Sequence, residues 1–134
     1  MNIPEESIEK GRKVRQQLGR SPSPRHAGNS PAFDLVPGLE EWVMGAVFGE
    51  LWSRPQLDVK TRCAITLGLL TVLGREPQVR AYVGYALNVG WKPEEVSEIV
   101  LHTTPYGGVP ASLNALNVMS EVFAERGLPT KVEG

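Results

Sequence analysis

The sequence predicts an all-α protein, a compact bundle of about six helices. Apolar residues recur at helical spacing from Gly38 onward, and no stretch shows the strict alternation of a half-buried strand. The length of 134 residues fits one domain. We therefore predict a single domain over residues 1–134, with an N-terminal helix and a Pro/Ser-rich connector in 1–37 and a helical core in 38–128.

Proline marks the connector. Five of the eleven prolines lie in the first 37 residues, and residues 21–29 (SPSPRHAGN) combine proline, serine and glycine. We interpret this stretch as an irregular linker between an N-terminal helix and the main body. Whether His26 in this linker folds over a neighbouring pocket is left open.

The first two core helices have clear boundaries. An apolar stripe starts at Leu39 and is interrupted at residues 51–55 (LWSRP), because a residue that precedes proline avoids the helical region. Asp58 is a plausible N-cap for a helix from Val59 to about Leu73. This helix is apolar almost all round, so we predict that it is the central buried helix.

Three further helices follow. Pro77 fits the first turn of one that stops at Gly90, a position suited to a left-handed cap. Pro93 starts the next, and residues 105–110 (PYGGVP) are predicted to break it sharply. A last helix runs from about Ala111 to Glu125 and is ended by glycine and proline.

Composition excludes several classes of function. Fifteen acidic and fourteen basic residues give a net charge of -1, which is not the footprint of a nucleic-acid binder. No apolar run approaches the roughly 18 residues that span a membrane, and the acidic start at residues 1–6 lacks the layout of a secretory signal, so we expect a cytoplasmic protein.

A metal or cofactor has no support in the sequence. The single cysteine, Cys63, allows neither a CxxC redox pair nor a cysteine-rich zinc site. The chain contains no GxGxxG, phosphate loop, GxSxG or HExxH motif. We therefore expect no cofactor, no metal, and a small molecule as the binding partner.

Two side chains on helices are candidates for proton chemistry. His102 lies about 60° around its helix from Ile99, at the edge of an apolar stripe, where an imidazole can act as acid or base near pH 7. Tyr82 shares a face with Val79 and Ala86, so its ring should point inward. The alternatives are a partly buried histidine bonded to a carbonyl group and an ordinary core tyrosine.

Charged residues near residues 48–62 are candidates for substrate binding. Glu50, close to Trp52 and a guanidinium, is either a tuned acid or half of an ion pair. Arg54 and Arg62 could each bind a carboxylate through the guanidinium fork, although Arg62 could instead hold the start of the buried helix by capping carbonyl groups or by pairing with an acid elsewhere. Cys63 is interpreted as a small buried hydrophobic residue.

Four ordered motifs make the sequence similar to a known family. Residues 48–55 (FGELWSRP) and 57–62 (LDVKTR) resemble the (F/W)G(D/E)xW(S/T)RPGL...TR segment of γ-carboxymuconolactone decarboxylases. Residues 86–90 (ALNVG) with 93–96 (PEEV) resemble that family's ALNNG...EEI segment, and residues 106–111 (YGGVPA) its YxGxPA turn. Residues 11–15 (GRKVR) and 18–19 (LG) are similar to its N-terminal GxxVR...LG.

The resemblance implies the helical fold of the alkylhydroperoxidase D group, assembled as homotrimers or homohexamers with pockets near subunit contacts. It also implies a carboxy-lyase of aromatic compound catabolism. One departure concerns the family's LHxRxA segment, where Tyr82 stands in place of histidine. His102 occupies a position where some members carry histidine. The peroxidase branch requires CxxC followed by histidine, and Cys63 lies outside any such motif, so thiol peroxidase activity is not expected.

The implied reaction is cofactor-free decarboxylation of a small lactone or unsaturated cyclic acid. The electron pair left behind must be delocalised into a carbonyl group and then protonated. We expect catalytic roles for His102 as acid or base, Tyr82 as donor to the carbonyl oxygen, and Glu50 as a second proton-handling or orienting group. Arg54, Trp52, Tyr106 and Arg62 are the expected substrate-binding residues. The alternatives are an isomerase or ring-opening enzyme and a non-catalytic binding protein.

Overall fold

A computed structural model of the chain describes residues 1–19 and 30–134, and every regular element among them is a helix. The predicted all-α class is thereby confirmed. Within these two ranges, seven α-helices and one π-helical segment follow one another. They are α1 (Glu5–Leu18), α2 (Ala32–Leu35), α3 (Leu39–Trp42), the π segment (Val43–Leu51), α4 (Val59–Leu73), α5 (Glu76–Asn88), α6 (Pro93–Gly107) and α7 (Val109–Glu125). The predicted linker at residues 21–29, with His26, lies outside the described residues.

Local signals set most helix ends as predicted. The Asp58 carboxylate accepts a 2.7 Å hydrogen bond from the Thr61 amide at the start of α4. Gly74 ends α4 with φ +69°, a left-handed conformation that a residue with a side chain rarely adopts. Gly90, with φ +104°, follows the end of α5. These agreements confirm the predicted span of α4 and the predicted end of α5.

The predicted sharp break at Pro105 is wrong. Helix α6 continues through Pro105 to Gly107, and the chain turns at Gly108, whose φ is +95°. A proline within a helix loses its own amide hydrogen bond and crowds the preceding turn, and here only Tyr106 and Gly107 follow it before the helix ends. The Thr104 hydroxyl group donates a 2.9 Å hydrogen bond to Ser112, which joins the end of α6 to α7 across the turn.

The core lies among α4, α5, α6 and α7, which pack against one another. Helix α5 is the most enclosed, because every residue from Ala81 to Ala86 is buried. The prediction that α4 is buried all round is wrong for the single chain. Its Cys63 and Leu67 side chains face the core, whereas Leu69 on the opposite side is 59% exposed.

Helix α1 is attached to this core beside α5. It packs mainly against the π segment, where Gly11 and Gly49 allow the two backbones to touch. The Asn88 amide group, at the end of α5, donates a 2.7 Å hydrogen bond to the Leu18 carbonyl group, which fixes the end of α1. The π segment ends with an i to i−5 hydrogen bond, 3.0 Å long, from the Trp52 amide to the Val47 carbonyl oxygen.

Candidate active site

The fold separates the predicted site residues into two regions. One is the basic cleft, a depression of about 430 Å³ between α1 and the segment that follows the π segment. It is lined by Lys10, Lys13, Val14, Gln17, Trp52, Ser53, Arg54, Pro55, Leu57, Asp58 and Val59. The other is the acidic groove, a depression of about 870 Å³ between α4 and α6. It is lined by Ala64, Ile65, Gly68, Leu69, Val72, Trp91, Glu94, Glu95, Glu98, Ile99, His102, Thr103 and Tyr106.

A chain of aromatic rings underlies the basic cleft. Trp52 lines the cleft and is only 6% exposed. The centroid of its ring lies 5.6 Å from that of Phe48 and 6.1 Å from that of Tyr82. Tyr82 in turn meets Tyr85 edge to face at 5.1 Å. Two predicted residues, Trp52 and Tyr82, are thus in contact, with Trp52 nearer the cleft.

Tyr82 points inward, as its helical spacing predicts. It is 6% exposed, and burial raises the pKa of its hydroxyl group well above the usual value near 10. A smaller opposing effect comes from the positive charge of Arg15, whose guanidinium group lies 5.1 Å from the centre of the Tyr85 ring. Tyr82 therefore stays protonated at neutral pH and is able to donate a hydrogen bond.

Glu50 lies at the end of the π segment, next to the basic cleft. Its carboxylate accepts a 2.5 Å hydrogen bond from the Ser7 hydroxyl group and lies 3.8 Å from the Lys10 ammonium group. The side chain is 55% exposed. Of the two roles predicted for Glu50, the structure shows the ion pair, although its partner is Lys10 of α1 rather than a neighbouring arginine.

The two candidate arginines have different surroundings. Arg54 is exposed and lines the basic cleft, and its Nε lies 3.5 Å from the Gln56 side-chain oxygen. Arg62 donates hydrogen bonds of 3.1 and 3.2 Å to the carbonyl groups of Leu57 and Arg54. It thus ties the segment that carries Arg54 to the first turn of α4. Of the roles predicted for Arg62, these bonds match the capping of carbonyl groups.

The acidic groove holds His102 and Tyr106. Their ring centroids lie 5.7 Å apart on one face of α6, and Tyr106 is 78% exposed. The floor is apolar and comes mainly from α4, while α6 contributes the carboxylates of Glu94, Glu95 and Glu98. One Glu95 oxygen accepts a 2.9 Å hydrogen bond from the Lys92 amide. Within one chain, His102 and Tyr106 are therefore separated from the Trp52–Tyr82 pair.

Cys63 belongs to the core rather than to either depression. It is fully buried, and burial raises the pKa of its thiol group to about 12. A thiol of this kind carries almost no thiolate at neutral pH, and the thiolate is the reactive form. Among the described residues, no three His, Cys, Asp or Glu side chains are close enough together to hold a metal ion.

The two lysines of the basic cleft were not among the site residues predicted from the sequence. Lys10 and Lys13 lie on α1 with Val14 and Gln17, at the offsets of three, four and seven that place residues on one helix face. That spacing predicts that these four residues lie on one surface of α1. It does not predict that residues 52–59, more than thirty positions later, form the opposite wall of the cleft.

Known proteins resemble this chain over most of its length. The chain is 36% identical over 100 residues to a 4-carboxymuconolactone decarboxylase of Acinetobacter baylyi, which covers 74% of this chain and 75% of that protein. It is 33% identical over 119 residues to a nitrosuccinic acid decarboxylase of Metarhizium robertsii, and the match covers 87% of this chain and 80% of that protein.

A third relative is described as an uncharacterized 15.0 kDa protein in the nqo9–nqo10 intergenic region of Paracoccus denitrificans. The chain is 34% identical to it over 114 residues, or 82% of this chain and 85% of that protein. A model described as the carboxymuconolactone decarboxylase family matches residues 37–121, which extend from before α3 into α7. Because that match spans more than half of the sequence and is supported by relatives above 30% identity, the chain belongs to the carboxymuconolactone decarboxylase family.

Proposed function

We propose that the chain is a cofactor-free carboxy-lyase that removes CO₂ from a small organic acid bound in the basic cleft. The observation that carries this proposal is the grouping of Lys10, Lys13 and Arg54 around Trp52 on a chain whose net charge is -1. These cations attract a carboxylate, whereas Glu94 and Glu98 in the acidic groove repel one. Two relatives named as decarboxylases support the reaction class.

The reaction needs few groups. The bond between the carboxylate carbon and its neighbour breaks, CO₂ leaves, and the electron pair moves into a conjugated carbonyl group of the substrate. A proton then returns to carbon, so that the carboxylate is replaced by hydrogen. The protein must hold the carboxylate without over-stabilising it, because its negative charge moves away as CO₂ forms, so a strong ion pair lowers the ground state more than the transition state. An exposed Arg54 beside the apolar ring of Trp52 suits this requirement.

Three side chains at or near the cleft can assist this reaction. Lys10 lines the cleft and is paired with Glu50, so we assign this pair to delivering the proton, with the carboxylate orienting the ammonium group. Tyr82 remains protonated and is our candidate donor to the developing oxyanion. Because Trp52 lies between the cleft and Tyr82, direct contact with substrate requires the Trp52 ring to change rotamer.

A second candidate arrangement uses the acidic groove. It is favoured by the pairing of His102 with Tyr106 beside an apolar floor, where an imidazole is placed to act as acid or base. The substrate in that case is a less anionic molecule, and the reaction is proton-transfer isomerisation or ring opening of a lactone or cyclic ketone. Variants of Arg54 and His102 distinguish the two arrangements.

The direct test is a product assay. The purified protein is incubated with 4-carboxymuconolactone, nitrosuccinic acid and related unsaturated acids, and CO₂ release and organic product are followed together. We expect CO₂ in an amount equal to the acid consumed. Product of unchanged mass would support the isomerase alternative. Binding of these acids without any product would overturn the carboxy-lyase proposal in favour of a non-catalytic binding protein.

Self-association is part of the same proposal. Leu69, Leu73 and Leu113 are each more than half exposed, and a soluble monomer rarely exposes a large contiguous apolar patch. None of the helices in the described part of the chain is long and apolar enough to cross a membrane. We propose a homotrimer or homohexamer, which light scattering coupled to size exclusion tests directly. Location in the cytoplasm stays a prediction.

A further inference from the structure

Arg15 of α1 closes a ring of contacts with four aromatic side chains. Its guanidinium carbon lies 5.3 Å from the centre of the Phe48 ring and 5.1 Å from that of Tyr85. Its Nη1 atom also donates a 2.8 Å hydrogen bond to the Tyr85 hydroxyl group. Phe48 in turn contacts Trp52, and Tyr85 contacts Tyr82. The chain of rings beneath the basic cleft therefore begins and ends at one guanidinium group.

Tyr85 connects Arg15 to Tyr82. The Tyr85 side chain is fully buried, and a hydrogen bond from a charged donor is about twice as strong as one between neutral groups. Arg15 therefore holds the hydroxyl end of this ring, while the core encloses the rest. Tyr85 meets Tyr82 edge to face, with the ring planes at 81°, and the energy of such a contact depends on the orientation of both rings. An ordered Tyr85 thus restricts the orientation of Tyr82.

The role assigned to Tyr82 requires a fixed ring. A donor stabilises a developing oxyanion when it is already aimed at the place where the charge appears, and a misplacement of about 1 Å can lower the rate about 100-fold. Of the four rings, only that of Trp52 lines the basic cleft, and it must change rotamer before substrate reaches Tyr82. That movement removes one ring contact of Tyr82. The contact with Tyr85, which Arg15 holds, is retained.

We propose that Arg15 is a positioning residue, which fixes the Tyr82 hydroxyl group through Tyr85 while Trp52 moves aside for the substrate. The inference rests on the proposed function, in which Tyr82 donates to the developing oxyanion. Arg15 itself does not touch the substrate, and α1 contributes to turnover as well as to a wall of the cleft. The competing explanation is that Arg15 only attaches α1 to the core.

A double-mutant cycle separates the two explanations. Arg15→Met keeps an unbranched side chain and removes the guanidinium group. With the acid that gives CO₂ in the product assay, we expect kcat to fall about tenfold or more and KM to change less than about twofold. In the Tyr82→Phe protein the same substitution should change kcat by less than about twofold, because the donor that Arg15 positions is already absent. Equal losses of kcat in both backgrounds would overturn the proposal.

Two further variants guard this result. Tyr85→Phe keeps the ring and removes only the oxygen that accepts the bond from Arg15, so it answers the question even where Arg15→Met folds poorly. It should lower kcat about threefold or more, and an unchanged kcat would overturn the route through Tyr85. Arg12→Gln is the matched control, because it removes a positive charge from the same helix, where Arg12 pairs with Glu5 and Glu9 at the surface. It should leave kcat unchanged.

Ring dynamics test the positioning of Tyr82 without turnover. The tyrosine rings of the full chain are labelled with ¹³C, and the Tyr82 signals are identified by their loss in Tyr82→Phe. We expect the Tyr82 ring to flip about tenfold faster or more in Arg15→Met, a barrier lower by about 1.4 kcal/mol, and at the wild-type rate in Arg12→Gln.

An unchanged flip rate in Arg15→Met would overturn the positioning role and leave the carboxy-lyase proposal to be decided by CO₂ release. Conversely, faster flipping in a protein that releases no CO₂ from any acid would support the restraint of Tyr82 by Arg15 and contradict the proposed reaction. The two failures are therefore distinguishable.

Discussion

Gly49 in the π segment packs against the main chain of Ser7 in α1 so closely that a β-carbon on Gly49 would overlap the Ser7 carbonyl oxygen. Gly11, one turn further along α1, makes the same kind of approach to the Met44 carbonyl oxygen. The two glycines bring the helices into backbone contact, and the Ser7 hydroxyl group then reaches Glu50. This crossing holds Lys10 and Lys13 at the edge of the basic cleft.

Gly49→Ala should therefore destabilise the protein. The contact is with backbone, which cannot rotate away as a flexible side chain can, so α1 must shift. Overpacking of this kind typically costs about 1–3 kcal/mol of unfolding free energy. Urea denaturation followed by circular dichroism measures it, and a displaced α1 should also weaken anion binding in the cleft.

Gly68→Ala is the matched control, since Gly68 also lies within a helix. The nearest atom to a β-carbon there is Thr103 Cγ2 at 3.6 Å, an ordinary contact distance. Alanine is also the better helix former, so this variant should be neutral or more stable by about 0.4–1 kcal/mol. Equal losses in the two variants would contradict the role given to the α1 crossing.

Helix boundaries could be predicted because their signals are local. The Asp58 cap and the left-handed Gly90 each act within a few residues of their own position. The end of α6 was predicted wrongly, because the Pro-Tyr-Gly-Gly sequence contains two possible stops and the helix uses Gly108 rather than Pro105. The π segment was not predicted, because the apolar periodicity and the cap and turn residues of the sequence do not distinguish it from an α-helix.

The candidate site was harder to predict than the helices. Periodicity correctly indicated that Tyr82 faces inward and that His102 lies at the edge of a groove, but it does not say which neighbours each face meets. One chain places the two residues in different regions. Lys13 was not predicted because other residues that line the cleft, such as Arg54, are distant in sequence, and only tertiary packing brings them to the same cleft.

Asp58→Ala should lower the stability of α4 in a pH-dependent manner. Hydrogen bonds from Thr61 are the main reason that the pKa of Asp58 lies below its usual value near 4. The carboxylate cap thus contributes stability above that usual value and loses it as the pH falls through the lowered folded-state pKa. The urea midpoints of wild type and variant should differ clearly at pH 7 and converge as the pH falls below the lowered pKa of Asp58. A constant difference across this range would contradict a role for the ionised cap.

Cys63 should be unreactive in the native protein. Its thiol group is buried, and with a pKa of about 12 roughly one molecule in ten thousand carries the thiolate at pH 8. We expect labelling by iodoacetamide to be slow in buffer and at least about 100-fold faster in denaturing urea. Cys63→Ala should keep any acid-dependent activity. Rapid native labelling, together with peroxide consumption lost in the alanine variant, would restore the thiol peroxidase alternative.

Arg54→Gln and His102→Gln should show which of the two candidate sites carries out the reaction. If decarboxylation takes place in the basic cleft, Arg54→Gln raises KM for the acid about tenfold or more, because a charge-assisted pair to the carboxylate is lost. His102→Gln then leaves turnover nearly unchanged. If His102 is instead the acid or base, its variant lowers kcat by about 100-fold or more.

Both variants alter exposed side chains, so folding should not confuse the result, and circular dichroism verifies this. Lys92→Gln is a suitable charge control for Arg54→Gln, since Lys92 is exposed and lies outside the basic cleft. A loss of activity in both variants would indicate a site shared between subunits, because Arg54 and His102 lie in separate regions of one chain. They would then have to meet across a subunit contact, and mixing the two inactive variants should restore part of the activity.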